Sequence, residues 1–314
     1  MRQAARVGRL GVLAVGLGLG AALASTPEIA SADPSTDPLS WVDQVAGGIS
    51  FPADTASPLD MQISISGIDL FSTVDNTATA TSGFGSFAVA IGDGADANAS
   101  GGLLDFVFAD GTDSTADAGL AGNFDVALAN GDHSTAGAGL AGNFDVAIAN
   151  GTDSNAGAGV NGSFVIATAD GDNSTAGAGI GSNWDIASAI GTGSKATVGV
   201  GGGLDIASAD GTDSTANAGF GQLDIASASG DGSNATAVGN FDLGLVNGTD
   251  SDASASGGSF DIATVIGSDS TALAGADPGD PTTVGNFDLA AVFADMLDAH
   301  ATGSSFLLDI LPSM

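Results

Sequence analysis

The sequence contains no cysteine and no tyrosine, and only 4 of its 314 residues are lysine or arginine. Without cysteine there is no disulfide framework, no thiol nucleophile and no lipid-bearing cysteine behind an export signal. Three of the four bases, Arg2, Arg6 and Arg9, stand ahead of an apolar run from Leu10 to Leu23, and Ala30-Ser31-Ala32 follows. That order predicts a secretory signal over 1–32. The run is too short and too glycine-rich to favour a membrane span, so no transmembrane segment is expected in the mature chain. Removing the signal would also remove Glu28, the only glutamate, and leave Lys195 as the single base against carboxylates that are all aspartate. A chain of formal net charge −33 has no basic patch to neutralise phosphates. Nucleic acid and anionic lipid are therefore excluded as partners.

Low aromatic content and high charge would ordinarily suggest disorder. Here, however, 43% of residues are hydrophobic, and they recur with a period. From Phe124 to Leu204 the chain repeats every twenty residues, as in NFDVALANGDHSTAGAGLAG from Asn123 and NFDVAIANGTDSNAGAGVNG from Asn143. The first half of each unit alternates: Phe124, Val126 and Leu128 on one face, Asp125, Ala127 and Ala129 on the other. The larger apolar residues are expected to point inward. Asn130-Gly131 then opens a turn of the kind that needs positive φ. A second alternating stretch, TAGAGLA from Thr135, is followed by a second turn at Gly142-Asn143.

Two strands and two turns in twenty residues predict an all-β fold, a two-sided β-solenoid or β-roll whose coils stack about 4.8 Å apart. An array of twenty-residue hairpins has the same periodicity. Coil anchors are read at Ile68, Phe87, Leu104, Phe124, Phe144, Phe164, Trp184, Leu204, Leu223, Phe241, Phe260 and Phe287. Ahead of them, 33–60 is a Pro/Ser-rich linker or N-terminal cap, with Trp41 a candidate plug for the end of the stack. Residues 61–276 carry the solenoid repeats. In 277–314 the Pro278 to Pro281 break is followed by Leu289, Val292, Phe293, Met296 and Leu297 at helical spacing, which predicts a short C-terminal helical cap.

Two rows of aspartate carry the strongest chemical signal. One follows the anchors, at Asp125, Asp145, Asp185, Asp205, Asp224, Asp242, Asp261 and Asp288; the other lies in the turns. Carboxylates stacked 4.8 Å apart repel by roughly 0.9 kcal/mol in water and more at lower dielectric. Calcium, a hard cation that takes carboxylate and backbone oxygens, could neutralise the turn row at Asp113, Asp132, Asp153, Asp172, Asp213 and Asp250. The turns read NGTDS, NGDHS or DGTDS and match neither the glycine-rich calcium nonapeptide nor the EF-hand loop. The plainer alternative has turn Asp and Ser capping backbone N–H groups while strand Asp keeps an Ala/Gly-rich surface soluble. A serine row runs through Ser114, Ser134, Ser154, Ser174, Ser194 and Ser214. No catalytic or cofactor-binding residues are read. The only histidines are His133 and His300, and aspartates that repeat uniformly do not mark out one hydrolytic cleft.

The stretch ASTPEIASADPSTDPLSW, followed by TATATSGFGSFAVAIGDGADANAS and units such as GNFDVAIANGTDSNAGAG, resembles the secreted Gly/Ala-rich β-strand-repeat proteins of mycobacteria. That resemblance implies secretion or a place in the cell envelope and carries no established activity. AVAIGDGADANAS alone is also similar to head repeats of trimeric autotransporter adhesins, which are β-rolls. The expected function is a secreted, non-enzymatic surface, matrix or adhesion module with an acidic face, binding host matrix or cell-wall components. The alternatives are a calcium-dependent structural or binding solenoid and a polysaccharide-active enzyme.

Overall fold

The computed structural model describes residues 60–119, 121–277, 280–284, 286–301 and 308–311. The signal segment and Trp41 lie outside them. Every regular element among the described residues is a strand. The strands form a 14-stranded sheet and a 12-stranded sheet, with a two-stranded hairpin besides. Each coil visits both large sheets: Val126–Asn130 lies in the longer one, Thr135–Ala138 in the shorter, and Val146–Asn150 is back in the longer. Neighbouring coils pair parallel and in register, Val126 on Val146 and Ala136 on Ala156. The chain is thus a β-solenoid. Antiparallel pairing among the described residues is confined to Met61–Ile65 with its two partners and to the hairpin of Ala276–Asp277 with Asp280–Val284, so the hairpin array is ruled out.

The inward face is the reverse of the one expected. Ala127, Ala129, Ala136 and Ala138 are buried in one alanine-dominated core, whereas Val126 and Leu128 are half-buried on the outside and Phe124 is 47% exposed. Short turns draw the two sheets together, and side chains larger than a methyl group find little room between them. Outside, a residue such as Val126 or Val146 has its flanks covered by apolar residues in register in the coils above and below. Hydrophobic burial is therefore achieved along the stack as well as across it.

The C-terminal helix is not formed. Leu289–Val292 pairs in parallel with Ile262–Ile266, and Asp298–Ala301 pairs with Thr271–Ala274. A further strand, Leu308–Leu311, pairs onto Leu289–Val292. Residues 286–301 read NFDLAAVFADMLDAHA, one more copy of the repeat in which Leu297 stands where earlier coils have serine. The spacing that suggests a helix is the strand alternation seen across a turn.

Coil length varies in one half only. Val126 to Ser134, Ile225 to Ser233 and Ile262 to Ser270 span the same number of residues. The shortening of the register step from 20 residues to 18 at Asp242, and its lengthening to 27 at Asp288, both fall between the serine and the next long-sheet strand. The Pro278 to Pro281 break lies in that longer connection. The anchors at Ile68 and Phe87 are strand residues; the position equivalent to Phe124 is held in the coil before Leu104 by Gly85, with φ 75°.

Candidate functional site

Each coil has two corners, and they are built on opposite plans. The first corner, Gly131 to Ser134 in one coil, contains a glycine with φ of 143°. A Cβ on Gly131 would run into the carbonyl oxygen of Gly151 in the next coil, so both conformation and stacking demand glycine. The residue two further on is left-handed, as at Asp113, His133 and Asp153 (φ 52°, 56° and 55°). The serine then turns inward: Ser134 is fully buried, and its Oγ donates to the Gly131 carbonyl at 2.8 Å. The serine row of the sequence is this repeated closure, seen again at Ser174 and Ser233.

The six candidate calcium ligands all lie on this corner, but at two different positions. Asp132 and Asp172 directly follow the glycine, and their Oδ1 atoms accept the backbone N–H of Thr112 and Thr152 in the preceding coil at 2.9 and 2.8 Å. Asp113, Asp153, Asp213 and Asp250 occupy the left-handed position. Position by position, the exposed aspartates are staggered with Thr, Asn, Gly or His, and Asp250 with Asp269 is the one pair from successive coils at the left-handed position. His133 lies between two of them, with Nε2 3.7 Å from Asp113 and Nδ1 3.8 Å from Asp153. Among the described residues no three His, Asp or Glu side chains come together in an arrangement that could hold a metal ion. Asp132 and Asp172 thus cap backbone N–H groups, as the plainer alternative has it.

The second corner, Gly139 to Asp145, puts its acids inside. The strand aspartates do not keep the surface soluble: Asp125, Asp145, Asp185, Asp205, Asp224, Asp242 and Asp261 are buried, and Asp105 belongs to the same row. Each Oδ1 accepts the backbone N–H of the equivalent residue one coil on, from Asp145 to Asp125 at 2.9 Å and from Asp224 to Asp205 at 2.9 Å. Val165 interrupts the row yet still donates its N–H to Asp145 at 2.9 Å. The second oxygens of Asp125, Asp145, Asp205 and Asp224 are buried with no hydrogen-bond partner. Asp185 instead accepts from the Ser182 hydroxyl, and Asp242 from the Gly239 N–H at 2.6 Å. Gly142 is glycine because a Cβ there would collide with the Asp145 carboxyl and the Gly162 carbonyl. Positive φ falls on Gly139 and Phe144, on either side of the Gly142-Asn143 turn.

Burial drives these carboxyls well above the ordinary aspartate range. The Asp125 carboxyl is pushed up to about 7, with the Asp145 and Asp105 charges adding to desolvation and the Asp145 N–H opposing it. Asp145, Asp205 and Asp224 rise to about 6, and Asp261 to about 7. Each raised carboxyl keeps its proton to a higher pH than an exposed aspartate, which lessens the repulsion between neighbours as pH falls below their raised values. The sequence contained a signal for this. Exposed aspartates are mostly staggered, whereas the aspartate after the anchor recurs in coil after coil, as suits a carboxyl held inside on the next coil's N–H.

Outside the buried row, the second corner is apolar. Phe124, Phe144, Phe164 and Trp184 are all left-handed, with φ from 60° to 70°, at a cost of about 1 kcal/mol each for a bulky residue. Their rings stack face to face at 5.0, 5.0 and 4.3 Å. Each stack contributes roughly 0.5–1.5 kcal/mol, which offsets the backbone strain. A second run joins Phe241, Phe260 and Phe287, and the last of these keeps register across the long insertion. In comparison with known proteins, no family model and no curated protein sequence matches the chain.

Proposed function

We propose that this is a secreted, non-enzymatic repeat protein of the cell surface or matrix, of the kind its resemblance to mycobacterial Gly/Ala-rich repeat proteins implies. It acts through faces repeated along the stack. The observation that supports this reading is the uniformity of the chemistry-bearing residues. At the first corner Asp132, Asp172 and the serines serve the backbone and His133 lies between Asp113 and Asp153, while the second-corner aspartates are sealed inside. What remains for a partner is an acidic edge and an apolar edge, each many coils long. Host matrix or cell-wall components are the proposed partners.

The test is retention of the purified chain on isolated cell wall and on immobilised matrix proteins. Binding that weakens with salt is expected if the acidic edge makes the contact. A chain that stays unbound on every surface, across salt and calcium concentrations, would remove the adhesion reading.

A further inference from the structure

The two corners segregate charge completely over most of the stack. In the second-corner segments from Gly119 to Asp261 the only charged side chains are the buried aspartates. The exposed side chains there include the aromatic row together with Leu140, Ile180, Val200 and Phe220, which are 50%, 54%, 48% and 69% exposed. On the adjoining long sheet, Ile166 and Ile186 continue the apolar surface at 38% and 37% exposure. The exposed acids of these coils instead gather at the first corner, around Asp113, Asp132, Asp153, Asp172 and Asp213.

We infer that this uncharged edge is a self-association surface, on which a second copy of the chain packs edge to edge. Three observations select that occupant. The first is charge: a second copy carrying the same strong negative charge can approach closely only where neither surface bears an exposed carboxylate, and the second-corner segments from Gly119 to Asp261 form such a surface. The second is area. The eight second-corner segments from Gly119 to Asp261, about 4.8 Å apart and three rows of side chains wide, give roughly 560 Å² per copy, at the upper end for an apolar patch on a monomer and the size of a modest interface. The third is ring geometry. The faces of Phe144 and Phe164 are covered by the rings above and below, so only ring edges face outward. Sugar stacking, which needs a free aromatic face, is not served by the interior of this row, whereas aliphatic and aromatic side chains of another copy can pack against it. Edge-to-edge pairing also places the acidic first corners of the two copies at opposite extremes.

Sedimentation equilibrium of the full chain, with circular dichroism as the folding control, tests this. A dimer at micromolar concentration is expected, strengthened by added salt as residual repulsion is screened. The double variant Leu140→Lys with Ile180→Lys leaves the ring stack untouched and should be monomeric, with at least a tenfold weaker association constant and an unchanged strand spectrum. Phe144→Asn with Phe164→Asn, in which asparagine suits the left-handed backbone, should weaken association likewise. A wild-type chain that remains monomeric at about 100 μM would overturn the inference. So would a dimer unaffected by both folded variants, or a monomer that instead coats neutral phosphatidylcholine vesicles.

Discussion

The two corners of each coil solve the same problem, carrying carboxylates in a stack with a repeat of about 4.8 Å, in opposite ways. At the first corner the acids are exposed and mostly staggered from coil to coil, and those that follow the glycine cap backbone N–H groups, as Asp132 caps Thr112. At the second they recur in nearly every coil, buried and with their carboxyls raised above the ordinary aspartate range, and the outer surface is left to phenylalanine and leucine. The first corner has one length throughout, because stacked glycines and an inward serine leave no slack. The second absorbs every deletion and the one insertion. A solenoid can therefore be strict at one edge and permissive at the other while the sheets between them stay in register.

The largest effect should come from the strict corner. Gly131→Ala puts a methyl group against the Gly151 carbonyl at a φ that alanine resists, and we expect a loss of about 3 kcal/mol or more in chemical denaturation. Next is the pH response of the buried row. These carboxyls hold protons in the folded chain that the unfolded chain releases, so the unfolded state binds fewer protons between about pH 4 and the folded values near 6 and 7. Stability is fully present below pH 4 and falls as pH rises to 7. Melting temperatures measured from pH 4 to 8 should decline across that window. Asp145→Asn with Asp205→Asn keeps the Oδ1 acceptors, and we expect it to flatten the decline and raise stability at pH 7 by about 1 kcal/mol. If that variant melted lower at pH 7 with an unchanged pH profile, the contrast between the corners would lose its electrostatic basis.

Phe144→Leu, which substitutes the residue found at Leu104 and Leu204, removes two ring stacks and should cost about 1 kcal/mol in the same denaturation assay. The smallest effect belongs to the exposed first-corner contact. His133→Ala should change stability by no more than about 0.5 kcal/mol, and a chelator should leave the melting temperature unmoved, since backbone capping already occupies Asp132 and Asp172. A chelator-induced fall of many degrees would instead support calcium at the first corner.

Much of the fold was legible in the sequence, because an invariant period with paired alternations and glycine turns leaves few architectures. The inside and outside of the coil were not. Alternation separates Phe124, Val126 and Leu128 from Asp125, Ala127 and Ala129 but does not say which set faces the core. The habit of placing larger apolar residues inside fails where short turns bring two sheets within alanine distance. The same inversion hid the burial of the strand aspartates. The C-terminal coil was misread because Leu297 and Met296 replace the serine and polar turn residue that mark earlier coils, and their apolar spacing across a turn imitates a helix.

The central claim is that the second-corner carboxyls are sealed in the core and that burial raises Asp125, Asp145, Asp205, Asp224 and Asp261 to about 6 or 7. Carboxyl carbon chemical shifts followed by NMR from pH 3 to 8 test it directly. The account predicts a group of aspartate resonances still titrating at about pH 6, well above the ordinary 3.9 or so, with members lost in Asp145→Asn and Asp205→Asn. If every aspartate had finished titrating below about pH 5, the buried row would titrate as ordinary carboxylates and the account would be contradicted.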